Sequence, residues 1–134
     1  NVINPLDLTD KFGTDAFRMG LIVGNTPGTS LALSEDKIRA YKNFANKLWN
    51  ITRFVLTSVG DERLERDFEK YSDIDNRLID ERNILIKDIT LDLENLRMYL
   101  AAEKVYHYAW HSFADIILEE TKIILQKGSM EEIK

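Results

Sequence analysis

The sequence predicts an all-α protein, an antiparallel helical bundle preceded by a short two-helix connector. Both prolines, Pro5 and Pro27, lie near the start, so the rest of the chain contains no proline to break a helix. Apolar residues recur there at three- and four-residue steps, the period of an amphipathic helix. The hydrophobic fraction of 44% and the charged fraction of 31% are typical of a folded globular protein.

The connector is predicted over residues 1–33 as two short helices followed by a turn-forming loop. Pro5 suits the first position of a helix that ends at Gly13. Thr14 is the expected cap of the second helix, which runs through Val23. Glycine, asparagine and proline then predict the loop.

The bundle is predicted over residues 34–127 as three long helices. Ser34 caps the first, which Gly60 ends, and Ser72 caps the second. The last helix runs from about Met98 to Gln126. We expect a connector at residues 61–73 and a frayed tail at residues 128–134.

Apolar periodicity predicts the buried face of the first long helix. We expect core positions at Ile38, Tyr41, Ala45, Leu48, Thr52, Val55 and Val59. Trp49 and Trp110 are also expected in the core, because a tryptophan in a periodic apolar helix usually packs inside; stacking platforms are the alternative.

Composition excludes several classes of site. The chain contains no cysteine, which excludes disulfides and thiolate metal sites. No apolar run approaches the roughly 20 residues that span a bilayer, so we expect no membrane partner. The chain starts at Asn1, without an initiator Met or a basic signal-peptide segment, and we expect it to be part of a longer protein.

Charge is distributed unevenly along the sequence. Residues 37–59 contain five basic residues and no acidic one, so the remainder carries −10, since the chain as a whole carries −5. Cations attract phosphates, amides read base edges and an aromatic ring stacks on an unpaired base, so this helix suits a single-stranded RNA loop. A solvated face with acidic partners explains the pattern equally well. The stripe comprises Arg39, Asn43, Asn46, Lys47, Asn50, Arg53 and Phe54.

The last helix carries a four-residue ladder of Glu103, His107, His111 and Asp115. Two histidines four residues apart can bind zinc, which would make the chain a metal-dependent enzyme. Four successive turns of a straight helix cannot converge on one ion, so we expect part-buried histidines with carboxylate partners. No catalytic constellation is found, and we expect no catalytic residue, no metal and no cofactor in this chain.

Four segments resemble class I aminoacyl-tRNA synthetases, and two of them resemble the valyl branch in particular. Residues 1–8 (NVINPLDL) and 11–18 (KFGTDAFR) resemble the stretch after the lysine-rich ATP-binding loop, with mild departures at Thr14 and Phe17. Residues 41–50 (YKNFANKLWN) are the segment most specific to the valyl branch, and residues 106–115 (YHYAWHSFAD) resemble its last bundle helix.

The resemblance implies a non-catalytic C-terminal part of a valine–tRNA ligase. Residues 1–33 then correspond to a stem-contact connector and residues 34–127 to the anticodon-binding bundle of class I aminoacyl-tRNA synthetases. The ATP motifs, valine pocket and editing domain would precede Asn1, and a coiled coil would follow in many members. The implied partners are tRNA(Val) and the upstream catalytic domain, in a cytoplasmic monomer.

The resemblance also assigns roles to residues of the stripe. Lys47 and Asn50 would bond base edges, Arg53 would contact phosphate or base, and Phe54 would stack on an anticodon base. Valine anticodons end in A-C, which makes those two bases the constant features to read. Weaker candidates are Arg39, Asn43 and Asn46. The alternative is a structural helical bundle without direct RNA contact.

Overall fold

A computed structural model describes residues 4–30, 33–59 and 71–127, and the described residues form an all-α bundle without strands. The expected end of the first long helix at Gly60, most of the connector and the tail at residues 128–134 lie outside them. Within the described part of the chain, no helix has the length and apolarity that crossing a bilayer requires.

Two short helices open the fold. Helix α1 is Pro5–Phe12, and the Asn4 side chain caps it by accepting a hydrogen bond from the Leu6 amide. Helix α2 is Thr14–Ile22. The expectation that Thr14 caps α2 is wrong, since Gly13 is the cap residue, with a φ of 93°.

The long helices begin where the sequence predicts. Helix α3 is Glu35–Val59, and the Lys37 amide donates to the Ser34 hydroxyl at 3.2 Å. Helix α4 is Asp73–Glu94, and Ser72 and Asp75 form a reciprocal capping box. Both predicted caps are confirmed.

The last helix is continuous but not uniformly α-helical. Helix α5 is Met98–His107, a π-helical segment follows at Tyr108–Ile117, and α6 is Leu118–Lys127. The predicted extent of the last helix is confirmed, but the expectation of regular α-helical spacing along its whole length is not. π-helical turns are rare and occur frequently at functional sites.

The tightest packing joins α1 and α2 to the start of α3. Ile38 is 0% exposed, and Leu8, Phe12 and Ala16 bury their side chains with it. Gly20 lets α2 approach closely, since a β-carbon there would lie 3.3 Å from the Ile38 side chain. Residues on both sides of position 33 thus share one core; the proposed division there stays a prediction.

Aromatic rings join α3 to the last helix. The Phe44 ring is buried, with its centroid 4.7 Å from that of Tyr106 and 6.1 Å from that of Trp110. Trp110 is half-buried, as expected of a packing residue. Burial, assisted by the neighbouring Tyr106 and Glu103, raises the pKa of Tyr41 at the edge of this cluster.

The aromatic contact corrects the predicted buried face of α3. Phe44, which the apolar pattern missed, faces α5, so the inward face continues through Ile51 and Phe54. Trp49 is 72% exposed and the prediction that it lies in the core is wrong. The predicted core positions Leu48, Thr52 and Val55 are exposed too, whereas Ile38 is buried and Tyr41 and Ala45 are partly buried. The Val59 side chain lies outside the described residues.

An ion cluster fixes the turn between α4 and α5. Asp92 is buried, and its carboxylate lies 2.9 Å from an Arg97 guanidinium nitrogen and 2.8 Å from Lys104 Nζ. The hydrogen bond from Lys104 holds the pKa of Asp92 below its usual range, and Arg97 lowers it further.

Candidate functional site

A cleft of about 500 Å³ separates the C-terminal half of α3 from the last helix. One wall consists of α3 residues at helical spacing, and the other comes from the end of the π-helical segment and from α6. The lining residues are Asn43, Asn46, Lys47, Asn50, Ile51, Phe54, Ala114, Asp115, Leu118, Glu119 and Lys122.

Five of the seven residues in the predicted stripe line this cleft. Three are asparagines, Asn43, Asn46 and Asn50, and their side chains make no hydrogen bond to any described residue. Each amide has two N–H donors and an oxygen acceptor, so the cleft offers unused donors and acceptors along one wall. Lys47 and Phe54 complete the set.

Arg39 and Arg53 do not line the cleft. Arg39 lies near the start of α3, where it pairs with Asp36 at 2.9 Å and lies over the Phe12 ring, 5.8 Å from its centroid. Arg53 is exposed and makes no ion pair with the described residues. Of these two arginines, Arg53 is therefore the one whose charge no described carboxylate neutralises.

Lys47 is the most constrained cation of the stripe. Its side chain is 26% exposed, and its Nζ lies 2.8 Å from Asp115 Oδ1 and 4.0 Å from the centre of the Trp110 ring. This acidic partner is the kind that the solvated-face interpretation expected. Lys47 nevertheless faces the cleft, so the ion pair and the binding surface coincide.

Phe54 is half-buried in the cleft wall. Lys122 Nζ lies over its ring at 5.6 Å from the centroid, a cation–π distance. Lys122 also donates to Glu119 at 2.6 Å. Each lysine of the cleft is thus paired with a carboxylate of the cleft, Lys47 with Asp115 and Lys122 with Glu119.

The ladder on the last helix does not assemble a metal site within the residues described. No group of three histidine, cysteine, aspartate or glutamate side chains there is placed to hold an ion. The His107 and His111 ring centroids lie 4.7 Å apart, and His111 Nδ1 lies 3.8 Å from Asp115 Oδ2. The histidines are exposed, so the expectation of part-buried rings is wrong, although His111 has the expected carboxylate neighbour.

The acidic residues of the cleft, Asp115 and Glu119, were not predicted as site residues from the sequence. Asp115 was visible only as a step of the ladder, and Glu119 and Lys122 gave no signal of their own. Their one-turn and two-turn spacing from Asp115 resembles that of any charged helix face. Their position opposite the α3 stripe depends on how two helices distant in sequence pack together.

Comparison with known proteins identifies the family. Residues 75–133 match the family model described as the anticodon-binding domain of tRNA ligase. The whole chain is 38% identical to a valine–tRNA ligase of Clostridium acetobutylicum, and 93% of it is 41% identical to that of Pelagibacter ubique. The chain matches one part of valine–tRNA ligases along its whole length. A third valine–tRNA ligase, from Mycoplasma genitalium, is 34% identical over 91% of the chain.

The chain spans about 15% of the length of the valine–tRNA ligases that it matches. The matched family model describes an anticodon-binding domain rather than a catalytic one, so the chain matches a non-catalytic part of these ligases. The cleft lies between α3, upstream of the matched model, and residues 114–122, within it.

Proposed function

We propose that this chain holds the anticodon arm of tRNA(Val) in the cleft between α3 and the last helix. The observation that carries the proposal is the convergence on one cleft of a lysine, an aromatic ring and three amides that make no hydrogen bond to the described residues. An unpaired RNA base offers a π-face to a ring and open edges to amides, whereas a paired base offers neither. The family of the chain, with an anticodon-binding domain, supports the same partner.

All of the predicted residues except Arg39 have a role in this proposal. Phe54 stacks on an anticodon base, and Lys47 and Asn50 bond base edges across the cleft. Arg53, exposed just outside it, contacts a phosphate of the same loop. Asn43 and Asn46 extend the amide row, whereas Arg39, paired with Asp36 at the other end of α3, takes no part.

The whole protein is proposed to be an ATP-dependent valine–tRNA ligase that acts as a cytoplasmic monomer. The catalytic domain of the same polypeptide is then the second partner of this chain. Valine-dependent exchange between pyrophosphate and ATP, measured on the 134-residue chain alone, should stay at background. Turnover above background would contradict the assignment of catalysis to other parts of the polypeptide.

Binding of short RNA hairpins to the chain tests the proposal. Fluorescence anisotropy should detect the tRNA(Val) anticodon stem-loop with a dissociation constant of roughly 10⁻⁴–10⁻⁶ M, in the range of weak electrostatic binding. The affinity should stay at the weak end, because the surface outside residues 37–59 carries −10. A hairpin with the same stem and a different, unrelated loop should bind more weakly.

A matched pair of aromatic variants locates the surface. Trp49 is an exposed aromatic residue of the same helix but does not line the cleft. Phe54→Ala should weaken binding of the anticodon stem-loop, whereas Trp49→Ala should leave it unchanged. The opposite result would move the RNA to the other face of α3, and equal binding of both hairpins by the unaltered chain would favour a structural bundle without RNA contact.

A further inference from the structure

The charges inside the cleft determine what class of group it accepts. Its lining contains two lysines, one aspartate and one glutamate, so the local charge is zero. The two ion pairs, at 2.8 Å and 2.6 Å, neutralise both cations. A phosphate entering the cleft would lose hydration and meet two carboxylates, whereas an uncharged nucleobase avoids that repulsion.

Asp115 has acceptor capacity left over. An ionised carboxylate offers about four lone-pair sites, and Lys47 takes one of them at Oδ1. Within the described part of the chain, the other basic group beside Asp115 is His111, whose Nδ1 lies 3.8 Å from Oδ2, beyond hydrogen-bond distance. The carboxylate is about half exposed and therefore open to a ligand in the cleft.

Asp115 is also held across the cleft rather than along its own helix. The ion pair with Lys47 ties it to α3, close to the asparagine row. Glu119, in contrast, bonds to Lys122 on the same helix, three residues away. A carboxylate held in place loses little entropy when it accepts a hydrogen bond, so Asp115 is the better-prepared acceptor.

We propose that Asp115 makes the cleft a pocket for a nucleobase that carries an exocyclic amino group, by accepting a hydrogen bond from that group. The carboxylate selects against uracil, which lacks such a group, and against phosphate. Adenine N6 and cytosine N4 both have this chemistry, and these are the two constant bases of a valine anticodon. The inference rests on the proposed function, because it names the base feature that the same cleft reads.

Amino-deleted anticodon loops test this proposal on the whole 134-residue chain. Two stem-loops are made, one with the middle adenine replaced by purine riboside and one with the last cytosine replaced by pyrimidin-2-one riboside. Each lacks only the exocyclic amino group. One of them should bind roughly tenfold more weakly than the unmodified loop, since hydrogen bonds to charged groups are worth that much or more. The loop that loses affinity identifies the base.

Asp115→Ala is the decisive variant and Glu119→Ala its control, because each removes one carboxylate from the cleft and leaves no hydrogen-bond acceptor in its place. Asp115→Ala should bind the unmodified loop more weakly than the unaltered chain does. It should bind the amino-deleted loop at least as tightly, since that loop offers no amino group to Asp115 and Lys47 loses its acidic partner. Glu119→Ala should keep the discrimination. The different effects of Asp115→Ala on the two loops separate recognition from folding, because a damaged fold would weaken binding of every loop.

Three outcomes would overturn the proposal. The unaltered chain could bind all three loops equally, Asp115→Ala could discriminate as the unaltered chain does, or Asp115→Ala could keep its helical circular dichroism signal and weaken binding of all three loops by the same factor. In each case the proposed function still stands if the anticodon stem-loop binds better than the hairpin with an unrelated loop. If the anticodon stem-loop binds no better than the hairpin with an unrelated loop, the proposed function itself is contradicted.

Discussion

The two ends of α3 are built for different tasks. Its first turns pack against α1 and α2, and Ile38 is completely enclosed among Leu8, Phe12 and Ala16. Its last turns border an open cleft and leave Trp49 and Leu56 largely exposed. One helix therefore anchors the fold at one end and presents polar and aromatic groups at the other, so stability and recognition should respond to different substitutions.

The largest expected effect is on stability at the enclosed end. Ile38→Ala leaves a cavity that α1 and α2 cannot fill, and should lower the free energy of unfolding by about 2–5 kcal/mol. Val55→Ala, at the exposed end of the same helix, should change it by about 0.5 kcal/mol or less. Urea denaturation followed by circular dichroism measures both. Similar losses at the two positions would contradict the contrast between the two ends.

The largest expected effect on recognition lies at the cleft. Base–aromatic stacking is worth roughly 1–3 kcal/mol, so Phe54→Ala in the full-length ligase should reduce charging of tRNA(Val) by about fivefold to a hundredfold. It should also reduce discrimination against a tRNA with the middle anticodon base replaced. Lys47→Ala should act in the same direction. Intact discrimination in both variants, with a lower melting temperature for Phe54→Ala, would identify the stripe as structural.

Arg39 and Arg53 test the contrast between the two ends of α3 through the salt dependence of RNA binding. Arg53 follows the cleft-lining part of α3 and makes no ion pair with the described residues, whereas Arg39 is paired with Asp36 at the packed end. Arg53→Ala should reduce the slope of log affinity against log salt by about 1, the signature of one lost phosphate contact. Arg39→Ala should leave the slope unchanged. Titrations of the anticodon stem-loop at several salt concentrations measure both slopes, and equal changes would contradict the assignment.

A smaller effect concerns pH at the α4–α5 turn, which contributes no residue to the cleft. The pKa of Asp92 is lower in the folded protein than its unfolded value of about 3.9, chiefly because of Lys104. The stabilisation is therefore complete well above pH 4 and is lost as the pH falls through that value toward the folded pKa. Asp92→Asn should be less stable than the unaltered chain at pH 7, and the gap should narrow toward pH 3. A gap independent of pH would rule out the ion cluster as its cause.

The sequence alone determined where α1, α3 and α4 begin, because capping is local chemistry. Asn4, Ser34 and Ser72 each satisfy amides within three residues along the chain, so their roles follow from short motifs. The all-α class followed from the near absence of proline and from helical periodicity. The family resemblance followed from contiguous segments, and the comparisons confirmed it.

Tertiary structure alone decided which way each helix faces. Trp49 lies in a periodic apolar helix, which predicted a position in the core. In the structure Phe44 packs against Tyr106 and Trp110, and Trp49 is exposed. In the sequence, Asp115 was one residue of the four-residue ladder on the last helix. In the structure it pairs with Lys47, which lies 68 residues away in sequence. Periodicity defines the faces of an isolated helix, whereas the choice of buried face depends on partners distant in sequence, which a pattern of neighbouring residues does not encode.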